Sequence, residues 1–431
     1  MTIQHCSRPR YSRRTLLHIG CSGFLGLSLA DLLRALANPT EALARAQGVI
    51  LIWLGGGPAT IDMWDPKPDA PPEIRGDFTM IDTAIPGIPF TSLVPRTAKV
   101  VDRGVLVRSL HHNVPDHVPG AQYLMTGNKP SAAVEHPSLG SLAAKLRPTT
   151  AGMPPYFTIG EAANSGAGFL GAAYDPFRFR KAAGNSAQDL NGVVLPASMN
   201  REQFERRRHM QDAFNTAFVA RQKDSDIVPT LAKFQQDSHD ILTSNRIGHA
   251  FDLANESPAT SERYGTSEIG RGALVARRLI EAGTRFVTVG TEGWDTHTGN
   301  FASLRSLLPP LDQALAGLIE DLDERGLLTS TLVLCGGEFG RTPLVNKAVG
   351  RDHWSQAMTW FLAGGGLKRG CVYGSTDARG FDPLEAPCSP DDLAATALHL
   401  LGFSPDERVH TTAGRPIKLF QHGTVLNDVV A

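Results

Sequence analysis

Four stretches of this chain share one pattern: a short apolar run that stops at glycine or at a group of acids and imidazoles. Gly48-Val-Ile-Leu-Ile-Trp-Leu54 runs into Gly55-Gly-Gly-Pro58 and then Asp62. Val105-Leu-Val-Arg-Ser-Leu110 runs into His111, His112, Asp116 and His117. Arg285-Phe-Val-Thr-Val-Gly290 precedes Asp295 and His297, and Thr331-Leu-Val-Leu-Cys335 precedes Glu338 and Arg341. An uninterrupted apolar run reads as a strand buried on both faces, as in a parallel sheet. Helical patterns lie between the runs, at 270–282, 301–325 and 391–401. The second carries Leu304, Leu307, Leu308, Leu311, Leu315, Leu318 and Leu322 on one side and closes at Gly326. Strands alternating with helices predict an α/β protein whose mostly parallel sheet is covered on both faces, a three-layer α/β/α sandwich. In open α/β sheets the ligand crevice lies beyond the carboxyl ends of the strands. That is where these Asp, Glu and His residues fall.

The 431 residues fit one large α/β domain with insertions, here 47–431. Residues 150–200 are rich in Gly, Ala and Pro and read as substrate-side loops. From Arg201 the chain turns charged and helical, predicting a helical insertion or lid over about 200–255. A formal net charge of -1 argues against a nucleic-acid partner, since no basic excess is available to neutralise phosphates.

Residues 1–46 read as a leader. Ser12-Arg13-Arg14-Thr15-Leu16-Leu17 is a twin-arginine pattern, followed by a weakly apolar run from Ile19 to Leu33. Two small-x-small cleavage boxes follow, Ala35-Leu-Ala37 and Ala44-Arg-Ala46. The twin-arginine export machinery is therefore the expected partner, and the periplasm or the outside of the cell the expected location. Of the cysteines, Cys335, Cys371 and Cys388 lie beyond the leader; Cys371 and Cys388 are candidates for a disulfide, with Cys335 free in its apolar strand.

The polar groups at the strand ends suggest a divalent metal site, with zinc, calcium, magnesium or manganese as the candidate ion. Asp295 and His297 alternate, so in an extended segment both reach one side. Glu338 and Arg341 sit in a Gly-rich turn, a ligand and an oxyanion clamp or else a pair that stiffens the loop. His353 repeats the theme as a ligand, with Asp352 as a further ligand or as its support. Asp62 is a ligand or a loop cap. His111, His112, Asp116 and His117 are further candidates, with a surface loop as the simpler reading. No G-x-S-x-G elbow, G-x-G-x-x-G turn or P-loop is present, which disfavours serine-hydrolase and nucleotide-dependent chemistry.

These motifs carry a resemblance. Gly55-Gly-Gly-Pro58 leading to Trp64-Asp-Pro-Lys-Pro68, Gly293-Trp-Asp-Thr-His297, Gly337-Glu-Phe-Gly-Arg-Thr-Pro343 and Gly350-Arg-Asp-His-Trp354 resemble domain-of-unknown-function family 1501, a family of secreted twin-arginine proteins. That family is similar in fold to the alkaline phosphatase and sulfatase superfamily. His117-Val-Pro-Gly-Ala-Gln-Tyr-Leu-Met-Thr-Gly127 resembles the sulfatase nucleophile segment, and Gly414-Arg-Pro-Ile417 the closing strand. The resemblance implies an alkaline phosphatase-like sandwich that hydrolyses a phosphate or sulfate ester with a divalent metal. By position it implies Asp62, Asp295, His297, Glu338 and His353 as ligands, His117 at the nucleophile position and Arg341 on the anionic group. This chain departs from the pattern at His117, where active relatives carry Cys, Ser or Thr. It departs again at Ala121 in place of Arg, and at Glu338-Phe339 in place of Asp-His. The alternative implied is a non-catalytic envelope protein that binds anionic glycans on the same fold.

Overall fold

The structure is a computed structural model. It describes residues 44–147, 149–150, 152–162, 166–180, 195, 198–219, 238–404 and 406–431. The chain divides into Met1–Ala44 and Arg45–Ala431; the twin-arginine leader lies outside the described residues, and the second unit carries the fold.

The apolar runs form one sheet. Its strands are β1 (Gly48–Leu54), β2 (Gly104–Leu110), β3 (Tyr156–Gly160), β4 (Phe177–Phe179), β5 (Phe286–Thr291), β6 (Thr331–Gly336), β7 (Met358–Gly364) and β8 (Cys371–Tyr373). Their spatial order is β8-β2-β7-β6-β1-β5-β3-β4. All neighbours pair in parallel except β7, which runs antiparallel to both β6 and β2. β1 lies near the middle. Val49, Leu51 and Trp53 enter the core on one face of the sheet, and Ile50, Ile52 and Leu54 the core on the other. None of the six is more than 3% exposed, so each contributes roughly 1.5–3 kcal/mol of burial. A strand with two buried faces has no place for a polar alternate position, which explains the unbroken run.

Helices α1 (His117–Thr126), α2 (Leu139–Leu146) and α5 (Pro390–Leu400) cover one face; α3 (Glu268–Glu281) and α4 (Asn300–Glu324) cover the other. The result is the α/β/α sandwich expected from the sequence. Local chemistry sets the helix starts. Ser389 and Asp392 form a reciprocal capping box at α5, and the Ser138 and Ser267 side chains cap α2 and α3.

Two expectations need correction. Residues 150–200 are not only loops: they supply β3 and β4 at the sheet edge. Tyr156-Phe-Thr-Ile159 is short and flanked by Pro and Gly, which hid it. The region over 200–255 is helical where described, including Arg201–Val219 and Arg246–Phe251, and its second part packs on the core. Ile247 and Phe251 are core residues, and the Phe251 ring packs 4.6 Å from that of Phe179. Cys371 and Cys388 are both free thiols, as is Cys335. Burial pushes the Cys388 thiol up to about 12, the behaviour of an inert core cysteine. Among the described residues, no helix is long and apolar enough to cross a membrane.

Candidate metal centre

The glycine run after β1 makes room for the site. Gly56 has φ +117°, and a Cβ there would meet the Asp295 amide nitrogen at 2.5 Å. Only glycine lets the β1 loop pass this close beneath the β5 loop. On the far side, a Cβ on Gly350 would lie 1.9 Å from the His297 carbonyl oxygen. These close approaches bring the loops after β1, β5 and β6 together at the carboxyl rim of the sheet.

Three imidazoles converge there on one carboxylate. His117, the first residue of α1, places Nε2 3.3 Å from Asp295 Oδ2. His297 places Nε2 3.1 Å from Asp295 Oδ1 and 3.0 Å from His353 Nε2. His353 Nε2 lies 3.3 Å from the same Oδ1. Ligand-capable atoms of His117, Asp295 and His353 all fall within 4.8 Å of one another.

The far side of each ring is held. His117 Nδ1 lies 2.8 Å from Glu338 Oε1, His297 Nδ1 lies 2.7 Å from Asp352 Oδ1, and His353 Nδ1 lies 2.7 Å from the Pro115 carbonyl oxygen. Each acceptor assigns the ring hydrogen to Nδ1, so each Nε2 presents a lone pair to the centre. Lone pairs facing one another and a carboxylate repel unless a proton or a cation lies among them. Metal-ligating histidines characteristically give the other ring N–H to a carboxylate or backbone carbonyl. The residues therefore fit a divalent cation. The ligand atoms of His117, Asp295 and His353 lie close enough to share one ion, with His297 beside them.

Electrostatics agree with this arrangement. Burial pushes the Asp295 carboxyl up, but the bond and charge of Arg341, with His117 and His297, outweigh it and hold the group below its ordinary value. Burial depresses the His353 imidazole, helped by the charge of Arg341, against its bond to Pro115. Both effects favour the ligating forms, carboxylate and neutral ring.

Glu338 is 3% exposed. Its Oε1 accepts the Gly56 N–H at 2.8 Å as well as His117, while its Oε2 is buried without a partner. An orphaned buried carboxylate oxygen beside the cluster is a place where a proton or ion belongs. Phe339, next in the chain, packs its ring 5.2 Å from His117 and 4.4 Å from His353.

Other expected site residues stand apart. Asp62 is buried and held by Arg351, whose Nη2 and Nε each donate at 2.8 Å to its two oxygens, and by Asn300 Nδ2 at 2.7 Å. A carboxylate with a bidentate guanidinium anchors the 343–353 loop rather than facing the imidazoles. Arg341 is also turned inward. Its guanidinium donates to Asp295 at 2.5 Å and to the carbonyls of Gly56, Gly57 and Arg351, and the side chain is fully buried, so it braces the loops rather than facing an anionic group. His112 is a buried core histidine bonded to the Glu338 carbonyl oxygen at 2.7 Å. His111 contacts the Cys388 carbonyl, and Asp116 stands at the N-cap of α1 with no side-chain cap bond. Sequence reasoning missed Phe339, the Pro115 oxygen and Asn346, which bonds Asp352 at 3.2 Å. Only Phe339, inside the Gly-rich motif, carried a usable signal.

Fold and site together define an α/β/α protein with an imidazole–carboxylate centre at the carboxyl rim of its sheet. The chain belongs to the family described as Protein of unknown function (DUF1501), which matches residues 46–430. No curated protein sequence matches it. Among solved structures it is similar to the PsFucS1 sulfatase from Pseudoalteromonas sp., at 14% identity over 85% of this chain and 69% of that one, TM-score 0.38. It is similar to the lipoteichoic acid synthase LtaP from Listeria monocytogenes, at 12% identity over 84% and 74%, TM-score 0.37. A mutant TAB5 alkaline phosphatase with bound Mg is similar at 14% identity over 74% and 92%, TM-score 0.34.

Proposed function

We propose that this protein is an exported, metal-dependent hydrolase of an anionic ester of the phosphate or sulfate type. One observation carries the proposal: the Nε2 atoms of His117, His297 and His353 converge on Asp295 while each Nδ1 is bound elsewhere. When bound there, a divalent cation supplies Lewis-acid polarisation of the ester oxygens and neutralises charge developing on them. Asp295 and the three imidazoles hold it. Glu338, Asp352 and the Pro115 oxygen keep the rings in the tautomer that presents Nε2. Arg341 fixes the Asp295 carboxylate from behind. Phe339 packs against two of the rings and excludes water from that flank. Glu338 Oε2 is a buried acceptor left without a partner beside His117. His117, bonded through Nδ1 to Glu338 and facing Asp295 through Nε2, is read as a ligand rather than a free nucleophile. The twin-arginine pattern at Ser12–Leu17 supports export, with processing at Ala35-Leu-Ala37, because Arg45 and Ala46 both donate backbone bonds to Leu400 in the fold.

The test is elemental mass spectrometry on protein purified without chelator, followed by assay against aryl phosphate, phosphodiester and sulfate esters. The expected result is about one metal per chain and turnover of one ester class, both lost in Asp295→Ala. Absence of metal under every loading condition would sink the proposal. Metal without turnover of any ester would replace it with the glycan-binding alternative.

A further inference from the structure

A second concave feature lies away from the metal centre, near the end of the chain. Arg408–His410 and Pro416–Lys418 pair as an antiparallel hairpin, with Arg408 directly opposite Lys418 and Val409 opposite Ile417. Val409 is buried and Ile417 packs on the same core. The alternation therefore turns Arg408, His410 and Lys418 together to the solvent side. Like charges directly opposite across a hairpin are destabilising. Among the described residues neither has an ion-pair partner. No Asp or Glu occurs between Arg408 and Asn427, although basic and acidic residues nearly balance in the chain, 42 against 43. With no internal counter-ion, these exposed cations are met only by solvent, and a bound anion relieves their mutual repulsion.

The shape of the region agrees. The hairpin borders a cavity of about 340 Å³ lined by Arg415, Lys418, His422, Gln421 and His136, with no carboxylate among its lining residues. The neighbouring acids Asp406, Glu407 and Glu135 do not line the cavity, and Glu407 accepts the Ser404 N–H. We propose that this groove binds a sulfate or phosphate group carried on a soluble polyanionic chain, a reading that does not rest on the chemistry of the metal centre. A bilayer is the poorer occupant. Membrane-surface binding needs apolar side chains to insert, and none of the large hydrophobics exposed among the described residues lies on the hairpin. A duplex nucleic acid is disfavoured by the near-zero net charge.

The experiment measures calorimetric binding of a sulfated oligosaccharide to the full chain and to the double variant Arg415→Gln, Lys418→Gln. Both side chains are exposed, so the variant folds, and relief of the Arg408–Lys418 repulsion keeps its melting temperature at or above that of the parent. Binding should weaken roughly tenfold or more, since two charge-assisted contacts are lost, and should fall with added salt. Metal content and turnover of a small aryl ester should not change. The same measurement on His353→Ala separates the readings: groove binding persists there even if the metal centre has no activity. Equal binding by parent and double variant would overturn the proposal. So would equal affinity for the desulfated oligosaccharide, or Arg415- and Lys418-dependent binding to phosphatidylglycerol vesicles with none to the oligosaccharide.

Discussion

His297 and His353 bring their Nε2 atoms to 3.0 Å of each other, although each ring has already given its Nδ1 hydrogen to another acceptor. A cation between them relieves the repulsion of the two lone pairs, so bound metal should raise the melting temperature of the folded chain. Differential scanning calorimetry with and without added metal measures the shift. His353→Ala should lose the metal, with a melting temperature close to that of the metal-free parent. Full metal retention in that variant would remove His353 from the ligand set.

Asp62 gives the sharpest test of position against ligation. Asp62→Asn leaves Arg351 buried with an uncompensated charge, at a cost of about 3–5 kcal/mol. Because Asp62 stands apart from the imidazoles, the folded fraction should still bind metal with one-to-one stoichiometry. Urea unfolding together with metal analysis checks both halves. Lost metal at unchanged stability would return Asp62 to the ligands.

Arg341 acts through Asp295. Arg341→Lys keeps a cation but not the fork that reaches Asp295 and three carbonyls at once. Metal affinity should fall by about 10–100-fold without a change in ligand number. A competition titration against a chromophoric chelator reads the affinity.

How much of this was legible in the sequence depends on where the information lies. β1, β5 and β6 could be read because both faces of each strand are buried, and that leaves no polar interruption. The reversed direction of β7 could not be read, since an apolar run is the same in either sense. Asp295 and His297 were legible as a pair because alternation is local. The partnership of Asp62 with Arg351 was not. It joins residues far apart in the chain, and nothing local distinguishes a carboxylate that meets a guanidinium from one that meets imidazoles. The tautomers depend on acceptors such as the Pro115 backbone oxygen, which every residue possesses and no motif marks.

His112 supplies a pH dependence that is separate from the centre. Burial pushes its imidazole down to about 4, and its ring is fixed neutral, accepting the Val114 N–H at 3.1 Å and donating to the Glu338 carbonyl. Between pH 6.5 and 4 the unfolded chain binds this proton and the folded chain does not. The stabilisation is thus complete above about pH 6.5 and is lost as the pH falls toward 4, on the order of 3 kcal/mol. Metal-free protein should melt progressively lower from pH 7 to 4.5. His112→Leu should start from a lower stability at pH 7 and show a flatter slope.

The reversal of β7 also bears on how such a protein can change over evolutionary time. The stretch from Gly336 to Met358 leaves the sheet at the carboxyl rim and re-enters it at the same rim, because its second strand runs the other way. Residues can be added to or removed from this excursion without shifting any strand along its neighbours. Arg351 and Asp62 pin the loop, His353 follows the pin directly, and Asn346 ties the loop to Asp352 and to the His297 carbonyl, so change in this excursion is tolerated where it spares those ties. A scaffold of this kind can exchange the wall of its site while the imidazoles stay in place.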